Sequence, residues 1–346
     1  MTNETHAVTT DDGIDLRLTR KNGGAKGPVL LVHGAGVHSG MFTLPTIDQN
    51  FAAYLAESGY DTWLLDWRAS IVLPLRQFTL DDAARYDFPA AVAKVRAVTG
   101  AVTIQAVVHC AGAISFFMSL ASGRLDGSIR CVTCSQVALH YNGPLASEVK
   151  SAIHLPDVLG AAGLDYLSAT EDPEHPLFQA LFGKVVDLLH HECKSTVCHR
   201  ITFMYGHLYR HANLNMPTHD RLSEQFAKCN ITAFRHLAQL MRRGSASQYD
   251  YGAAENQKRY GSAEPPSYLD PTHLALPITF VSGAENETFL PASTERTWNW
   301  LRAANGDALY SRHVVPGYGH IDGFMGSRAN REVYPLFREQ LEARPL

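Results

Sequence analysis

The sequence predicts an α/β fold, in which helices cover a mostly parallel central sheet and a helical cap interrupts the sheet domain. The first observation is that short apolar runs of strand length alternate with helical stretches over residues 1–140 and again over 277–346. This alternation is typical of parallel sheets that are buried on both faces. The second is that the strand pattern stops over 141–276, where helical spacing replaces it. We therefore expect 1–140 and 277–346 to form the core and 141–276 to form the cap.

Each element of the first core segment has a local signal. Asp12-Gly13 between alternating apolar positions favours a tight hairpin, short apolar runs indicate buried strands, and glycines after helical stretches mark helix ends. In chain order, the expected elements are a hairpin over Val8–Arg20, a strand over Val29–Val32, a helix over Phe51–Ser58, a strand over Thr62–Asp66, a helix over Leu80–Val98, a strand over Val102–Val108, a helix over Ala111–Ala121 and a strand over Cys131–Leu139.

The cap and the last core segment follow the same reasoning. Helical spacing in the cap is clearest over Leu177–His191 and Arg221–Arg242, and no strand pattern is evident there. Ile278–Ser282 restores the strand pattern, and Arg312–Val315 is the last expected strand. Glu332–Leu341 has the spacing of an amphipathic helix that closes the fold.

Composition excludes several classes of function. The 346 residues carry a net charge of −4 without a basic cluster, so nothing favours nucleic-acid binding. No apolar run approaches the ~20 residues that a membrane-spanning helix needs. The polar N-terminus lacks the features of a signal peptide, and the six cysteines have no regular spacing. We therefore expect a cytoplasmic protein with reduced thiols.

The stretch from Val107 to Gly112 carries the main functional signal. A strand, a sharp turn and a helix, with a nucleophilic side chain at the apex and a glycine two positions later, form a nucleophile elbow. Cys110 occupies the apex, and Val108 stands where a smaller residue is usual. A helix N-terminus and a nearby imidazole both favour a thiolate, so a lowered pKa is expected for Cys110. The alternative is a free cysteine buried as a small apolar residue.

A base and an orienting group follow later in the chain, in the order nucleophile, acid position, histidine. His320 lies in the loop after the last strand and is the candidate base. Asn286 stands at the acid position after Ile278–Ser282, with Glu285 and Glu287 as alternatives. A neutral amide can accept the imidazole N–H and hold the ring, but it does not stabilise an imidazolium as a carboxylate does.

Further residues complete the expected site. The backbone N–H of Ala111 follows the nucleophile and should form one half of an oxyanion hole, with Ala35 or Gly36 supplying the other half. Candidate substrate-contacting residues, several of them aromatic, indicate an apolar acyl or sterol-like substrate. They are His38, Phe116, Tyr205 and Tyr209.

No cofactor or metal is expected from the sequence. Gly34-Ala35-Gly36 resembles the start of a dinucleotide-binding loop, but Ser39 replaces the third glycine and no ribose-binding acid follows at the required distance. A group of histidines and cysteines in the cap has a spacing that matches no established zinc motif. Its members are His190, His191, Cys193, Cys198 and His199.

Several longer stretches resemble the α/β-hydrolases, in particular their acid-lipase-like branch. The stretches are VLLVHGAGVHSGMF, AESGYDTWLLDWRAS, LDDAARYDFPAAVAKVRAVTG, VSGAEN and HVVPGYGHIDG. VVHCAGA, STVCHRITFMYGHLYRH and GAENETFLPAST look closest to the hydrolase-like region attached to cholesterol-oxidase-type flavoproteins. The resemblance covers about Thr10 to Gly326. It implies an α/β-hydrolase fold with Cys110, His320 and Asn286 as the triad, and no oxidase activity because the flavin-binding half is missing.

These observations favour an enzyme that processes a small-molecule acyl substrate, an esterase or thioesterase with an acyl-cysteine intermediate. An acyltransferase that passes the acyl group to an alcohol or amine is the first alternative, since polyhydroxyalkanoate synthases look similar in their use of cysteine. A ligand-binding protein that retains the fold without catalysis is the second. A homodimer is compatible with the sequence.

Overall fold

The main element of the structure is a large central sheet. The structure is a computed structural model that describes residues 3–172, 174 and 192–345. Within these residues the eight strands of the sheet have the order β1-β2-β4-β3-β5-β6-β9-β10. In chain order, the described strands are β1 (Asn3–Thr9), β2 (Asp15–Asn22), β3 (Pro28–Val32), β4 (Asp61–Asp66), β5 (Ile104–His109), β6 (Ile129–Ser135), β7 (Tyr166–Ser168), β8 (Lys228–Asn230), β9 (Ile278–Gly283) and β10 (Tyr310–Val315).

The sheet is mostly parallel, and the predicted fold class is confirmed. β1 pairs with β2 and β2 with β4 in antiparallel register, whereas the other neighbours in the large sheet pair in parallel. Every residue of β3, β4 and β5 is buried. This burial on both faces explains why these strands have continuous apolar runs instead of alternating patterns.

Helices pack around the sheet, and several of them end or begin at identifiable signals. Asn50 caps the first helix by accepting the backbone N–H of Ala53, and Gly100 ends the third in a left-handed conformation. The described α-helices are α1 (Phe51–Glu57), α2 (Leu80–Asp82), α3 (Phe88–Thr99), α4 (Cys110–Ala121), α5 (Leu145–Ala152), α6 (Leu155–Ala161), α7 (Thr196–Tyr205), α8 (Met216–Asp220), α9 (Leu222–Gln225), α10 (Ile231–Arg243), α11 (Ala253–Tyr260), α12 (Ala292–Asn305), α13 (Asp322–Met325), α14 (Ala329–Glu332) and α15 (Tyr334–Glu342).

Two predicted elements of the core differ from the structure. The strand expected over Cys131–Leu139 ends earlier, at Ser135, because Gln136 adopts a left-handed conformation with φ 82°. The helix expected over Leu80–Val98 contains a π-helical turn at Ala83–Asp87. Pro89, which has no N–H to donate, follows directly after this turn.

The 141–276 segment is less uniformly helical than expected. It contains a small antiparallel sheet of β7 and β8, which no sequence pattern indicated. The helix predicted over Arg221–Arg242 is interrupted by β8 and starts again at Ile231, where Asn230 caps α10 by accepting the N–H of Ala233. The helix predicted over Leu177–His191 lies outside the described residues. The assignment of 141–276 as a cap stays a prediction.

The candidate site residues lie at one edge of the sheet, where the parallel strands end. The carboxyl ends of parallel strands meet at a common edge, where α/β proteins place their ligands. The loops or turns that follow β3, β5, β6, β9 and β10 begin there. Among the described helices, none combines the length and apolar character needed to cross a membrane.

Candidate active site

Cys110 lies at the junction of β5 and α4, as the elbow pattern predicts. Its backbone has φ 55°, a conformation that non-glycine residues rarely adopt. The loop after β3 approaches this turn so closely that glycine is required on both sides. A Cβ on Gly34 would lie 2.9 Å from the Cβ of Cys110, and one on Gly112 would lie 2.2 Å from the carbonyl oxygen of His33.

Two backbone N–H groups donate hydrogen bonds to the thiol of Cys110. They belong to Ala111 and Ala35, the two residues expected to form the oxyanion hole. The sequence left Ala35 and Gly36 as alternatives for the second oxyanion-hole donor, and Ala35 has the required position. Gly36 has a different role: it adopts φ 69°, and a Cβ there would lie 1.9 Å from the hydroxyl of Tyr205. Its small size lets Tyr205 approach the loop.

His320 lies beside the thiol and is buried. One of its ring nitrogens is within 4.8 Å of the Cys110 Sγ. The Nδ1 of His320 lies 3.2 Å from the Oδ1 of Asn286. The Nε2 is buried and has no hydrogen-bond partner among the described residues. The imidazole therefore has one nitrogen held by the amide and the other available to the thiol.

Backbone donors fix the orientation of the Asn286 amide, and with it the histidine tautomer. The Oδ1 of Asn286 accepts the N–H groups of Thr288 at 3.0 Å and Phe289 at 3.2 Å. Because this oxygen can only accept, the Nδ1 of His320 must carry the proton. Its Nε2 then presents a lone pair, which is the form that a general base needs.

Neither glutamate of the same loop reaches the histidine. Glu285 and Glu287 are exposed, and Glu285 pairs with Arg210 at 3.2 Å. The buried position between them belongs to Asn286. Of the three alternatives that the sequence left open, only Asn286 contacts the ring of His320 among the described residues.

An apolar pocket opens onto Cys110. Its empty space is about 880 Å³ with the open mouth included, which is within the usual range for small-molecule sites. Ala35, Cys110 and Ala111 are among its lining residues. Helices of the 141–276 segment and the loop after β9 supply most other lining residues, among them Leu155, Leu159, Phe203, Met204, Tyr205, Phe234, Leu237, Met241 and Phe289.

Of the four predicted substrate-contacting residues, Tyr205 lines this pocket and three do not. Phe116 is fully buried in the core against Phe88, because its face of α4 points towards α3. Tyr209 directs its hydroxyl to the sulfur of Cys198 at 3.0 Å. His38 caps the short helix Ser39–Phe42 and contacts the carbonyl oxygen of Glu224. These three positions correct the expectation from the sequence.

Comparison with known proteins finds lipases and esterases. No family model matches the chain. Triacylglycerol lipase 2 of Arabidopsis thaliana is 26% identical over 357 aligned positions, covering 96% of this chain and 82% of that protein. Human gastric triacylglycerol lipase is 24% identical, covering 96% and 86%. A thermophilic esterase from Thermogutta terrifontis superimposes with a TM-score of 0.59 at 15% identity, covering 99% of this chain and 100% of that one.

A monoacylglycerol lipase from Paleococcus ferrophilus has the same fold, with a TM-score of 0.57 at 16% identity and coverage of 96% and 100%. The chain has the α/β-hydrolase fold. In this fold the turn after the strand that ends at His109 and the loop after the last strand are where a nucleophile and a base are usually found, and Cys110 and His320 lie there.

Burial sets the protonation states of the nucleophile and base. It raises the pKa of the Cys110 thiol to about 12, against the opposing effect of the Ala111 and Ala35 N–H groups. It also lowers the pKa of His320 to about 3. Both shifts favour a neutral thiol beside a neutral imidazole near neutral pH. Their direction is opposite to the lowered pKa expected from the sequence, because the effect of burial exceeds that of the neighbouring N–H groups.

This protonation state predicts the pH dependence of alkylation. We expect the rate at which iodoacetamide modifies Cys110 to rise about tenfold per pH unit throughout the range from pH 6 to 9, because only the thiolate reacts and its fraction grows with pH below the pKa. Peptide mass spectrometry at each pH measures the rate at this cysteine. A plateau below pH 8 would contradict the neutral pair and indicate a stabilised thiolate.

Gln136 is a site residue that the sequence did not reveal. Its Oε1 accepts the backbone N–H of Gly283 at 3.0 Å and the Nδ2 of Asn286 at 2.9 Å, so it holds the second end of the orienting amide. The available signal was its place directly after β6, beside the strands that carry Cys110 and Asn286. A strand that ended at Leu139, as expected from the sequence, would place His140 and not Gln136 directly after it.

His109 is the other missed residue. It is buried, with its ring centroid 4.8 Å from that of His320, and its Nδ1 lies 3.1 Å from the hydroxyl of Ser135. Burial lowers its pKa well below the ordinary value. A neutral ring at this position packs beside His320 without placing a positive charge next to it.

Proposed function

We propose that this α/β-hydrolase cleaves esters or thioesters of apolar acyl groups through an acyl-Cys110 intermediate. One observation carries the proposal: two backbone N–H groups and an imidazole with a free nitrogen converge on a single thiol at the end of an apolar pocket. A buried thiol without function would need none of these neighbours. The lipases and esterases among the similar proteins support an acyl substrate.

The first half of the reaction forms the thioester. The thiol proton moves to the Nε2 of His320 as the sulfur attacks the acyl carbonyl carbon, and the N–H groups of Ala35 and Ala111 stabilise the oxyanion. Collapse of the tetrahedral intermediate breaks the bond to the alcohol or thiol leaving group, which takes the proton from Nε2. Because the Cys110 thiol and the His320 imidazole both start neutral, the proton transfer accompanies the attack of the sulfur.

The second half releases the acid. Water gives a proton to Nε2 as its oxygen attacks the thioester carbonyl, and the same N–H groups hold the second oxyanion. Collapse breaks the carbon–sulfur bond, and Nε2 returns the proton to the sulfur. The Nδ1 proton remains hydrogen-bonded to Asn286 throughout, which keeps the ring in the productive orientation.

Acyl transfer is a second candidate function. A thioester reacts readily with alcohols and amines, and the apolar lining of the pocket would disfavour water as the acceptor. We include a sterol alcohol among the acceptors to test, because the sequence predicts a resemblance of VVHCAGA and GAENETFLPAST to the region attached to cholesterol-oxidase-type flavoproteins. Hydrolysis and transfer share the acyl-Cys110 intermediate and differ only in its second step.

A panel of chromogenic esters tests the proposed function. Turnover of p-nitrophenyl esters should depend on Cys110 and His320, and addition of aliphatic or sterol alcohols should divert product from the acid to the new ester if transfer operates. Absence of turnover with all acyl lengths, together with reversible binding of fatty acids in the pocket, would instead identify a non-catalytic ligand-binding protein.

We further propose that the 141–276 segment acts as a cap that selects the acyl chain. Leu237 on α10 lines the pocket, and Leu237→Trp should shorten it. We expect kcat/KM for a long-chain ester to fall at least about tenfold more than for an acetate ester. Leu336→Trp, at a partly buried leucine of α15 that does not line this pocket, is the matched control. Equal losses for both esters would contradict this role.

A further inference from the structure

A second group of reactive side chains lies outside the active site. Cys193, Cys198, His211 and His219 each offer one ligand atom, and these atoms all lie within 4.8 Å of one another. Cys193 precedes α7 and Cys198 lies in its first turn, whereas His211 and His219 come from the short helix His211–Asn213 and from α8. Three separate elements therefore direct metal-binding atoms to one point.

The separations agree with a tetrahedral metal centre. The Sγ of Cys198 and the Nε2 of His211 are 3.4 Å apart. Zn–S bonds of about 2.3 Å and Zn–N bonds of about 2.0 to 2.1 Å place neighbouring ligand atoms of a tetrahedron about 3.4 to 3.8 Å apart. The other distances between ligand atoms of the group are at most 4.8 Å, so small side-chain movements would bring all four atoms to tetrahedral separations.

The surroundings of the histidines also fit a metal site. The Nε2 of His211 faces the sulfur of Cys198, and a carboxylate oxygen of Glu192 lies 2.8 Å from the Nδ1 without the alignment of a hydrogen bond. A carboxylate on the far ring nitrogen is the usual support for a metal-binding histidine, because it fixes the tautomer and the ring orientation. The Nε2 of His219 is buried and has no hydrogen-bond partner in the described part of the chain.

We propose that Cys193, Cys198, His211 and His219 bind one zinc ion. Two thiolates and two imidazoles are the ligand set of closed, four-coordinate structural zinc sites, and their softness selects zinc over calcium or magnesium. The site is separate from the acyl-transfer chemistry proposed above, so it stands whether or not that proposal holds. Zinc binding would release the two thiol protons.

The position of the site gives it a structural effect on the active site. The carbonyl oxygen of Leu208 accepts the backbone N–H groups of both His320 and Ile321. Leu208 is three residues before His211, in the segment that connects α7 to the His211–Asn213 helix. A zinc ion that ties this connection to α7 and α8 would stiffen the segment that holds the His320 loop.

Sequence spacing gave no indication of this site. Four residues separate the two cysteines, but twelve separate Cys198 from His211 and seven separate His211 from His219. Of the histidines that the sequence analysis grouped with Cys193, His190 and His191 lie outside the described residues, and the Nε2 of His199 contacts the carbonyl oxygen of Cys193. The two histidines that lie beside Cys193 and Cys198, His211 and His219, come from a later part of the chain.

Metal analysis of tag-free protein tests the proposal. We expect roughly one zinc per chain after dialysis against metal-free buffer, as for a closed four-ligand site. Replacement of zinc by cobalt should give the absorption of thiolate-bound tetrahedral cobalt, which surface histidines do not produce. Cys193→Ser and His219→Ala should each lose most of the bound zinc, whereas Cys131→Ser, at a buried cysteine in β6, should retain it.

Three results would overturn the proposal. The first is wild-type protein that contains no zinc and shows no cobalt–thiolate absorption when cobalt is added in excess. The second is a Cys193–Cys198 disulfide, detected as a loss of two hydrogens in the peptide mass. The third is full zinc retention in both variants. If a variant fails to fold, cobalt titration of chelator-treated wild type decides the question, since it needs no substitution.

Discussion

Cys110→Ser is expected to lower kcat for a chromogenic ester by about 10³-fold or more, although serine is the usual nucleophile of this fold. A serine hydroxyl is a much weaker acid than a thiol, so its attack requires a base that can accept a full proton. His320 has only the neutral amide of Asn286 to support the resulting imidazolium, and burial already lowers its pKa to about 3. The imidazole of His320 is therefore too weak a base to take the proton from a serine hydroxyl.

Steady-state kinetics with circular dichroism as a folding check measures this effect. Cys131→Ser is the matched control, because it makes the same change at a buried cysteine of β6 that does not line the apolar pocket. We expect the control to retain activity within about twofold, as substitutions away from an active site usually do. If Cys110→Ser kept more than a tenth of the wild-type rate, His320 would be a stronger base than its surroundings allow, and the neutral-pair mechanism would be wrong.

Asn286→Ala is expected to lower kcat by about 10²- to 10³-fold with a smaller change in KM. The substitution removes the acceptor for the Nδ1 proton of His320, so the ring can adopt the other tautomer and point a proton at the thiol. It also removes the acceptor that receives the N–H groups of Thr288 and Phe289. The loop that forms one wall of the pocket therefore loosens as well.

Two glutamates in the same loop provide matched controls for Asn286. Glu285→Ala and Glu287→Ala should change kcat by less than about twofold, because both side chains are exposed. Gln136→Leu should give a loss between these extremes, since the Asn286 amide keeps its backbone donors but loses its contact with Gln136. A larger effect of either glutamate than of Asn286 would transfer the orienting role to that residue.

The elements that bring the site together could be predicted because their signals are local. An apolar run before Cys110 and a helical run after it already define the elbow, and Gly34 and Gly112 mark the close approach of two loops. The chain order of nucleophile, acid position and histidine follows from the fold, so His320 and the loop from Glu285 to Glu287 could be located from the sequence, whereas the contact of Asn286 with His320 comes from the structure.

The remaining features depend on contacts between distant segments. Gln136 acts only because β6 lies between the strands that carry Cys110 and Asn286. The face of α4 that carries Phe116 cannot be distinguished from the pocket face in so apolar a helix. The pKa of Cys110 depends on burial, which contacts between distant segments produce and no local pattern gives.

The most direct test of the acyl-Cys110 claim is peptide mass spectrometry after rapid acid quenching during turnover of an ester. We expect the acyl mass on the peptide that contains Cys110, lost on treatment with hydroxylamine and absent in Cys110→Ala. An acyl group on another residue, or undiminished ester turnover by Cys110→Ala, would contradict the central claim.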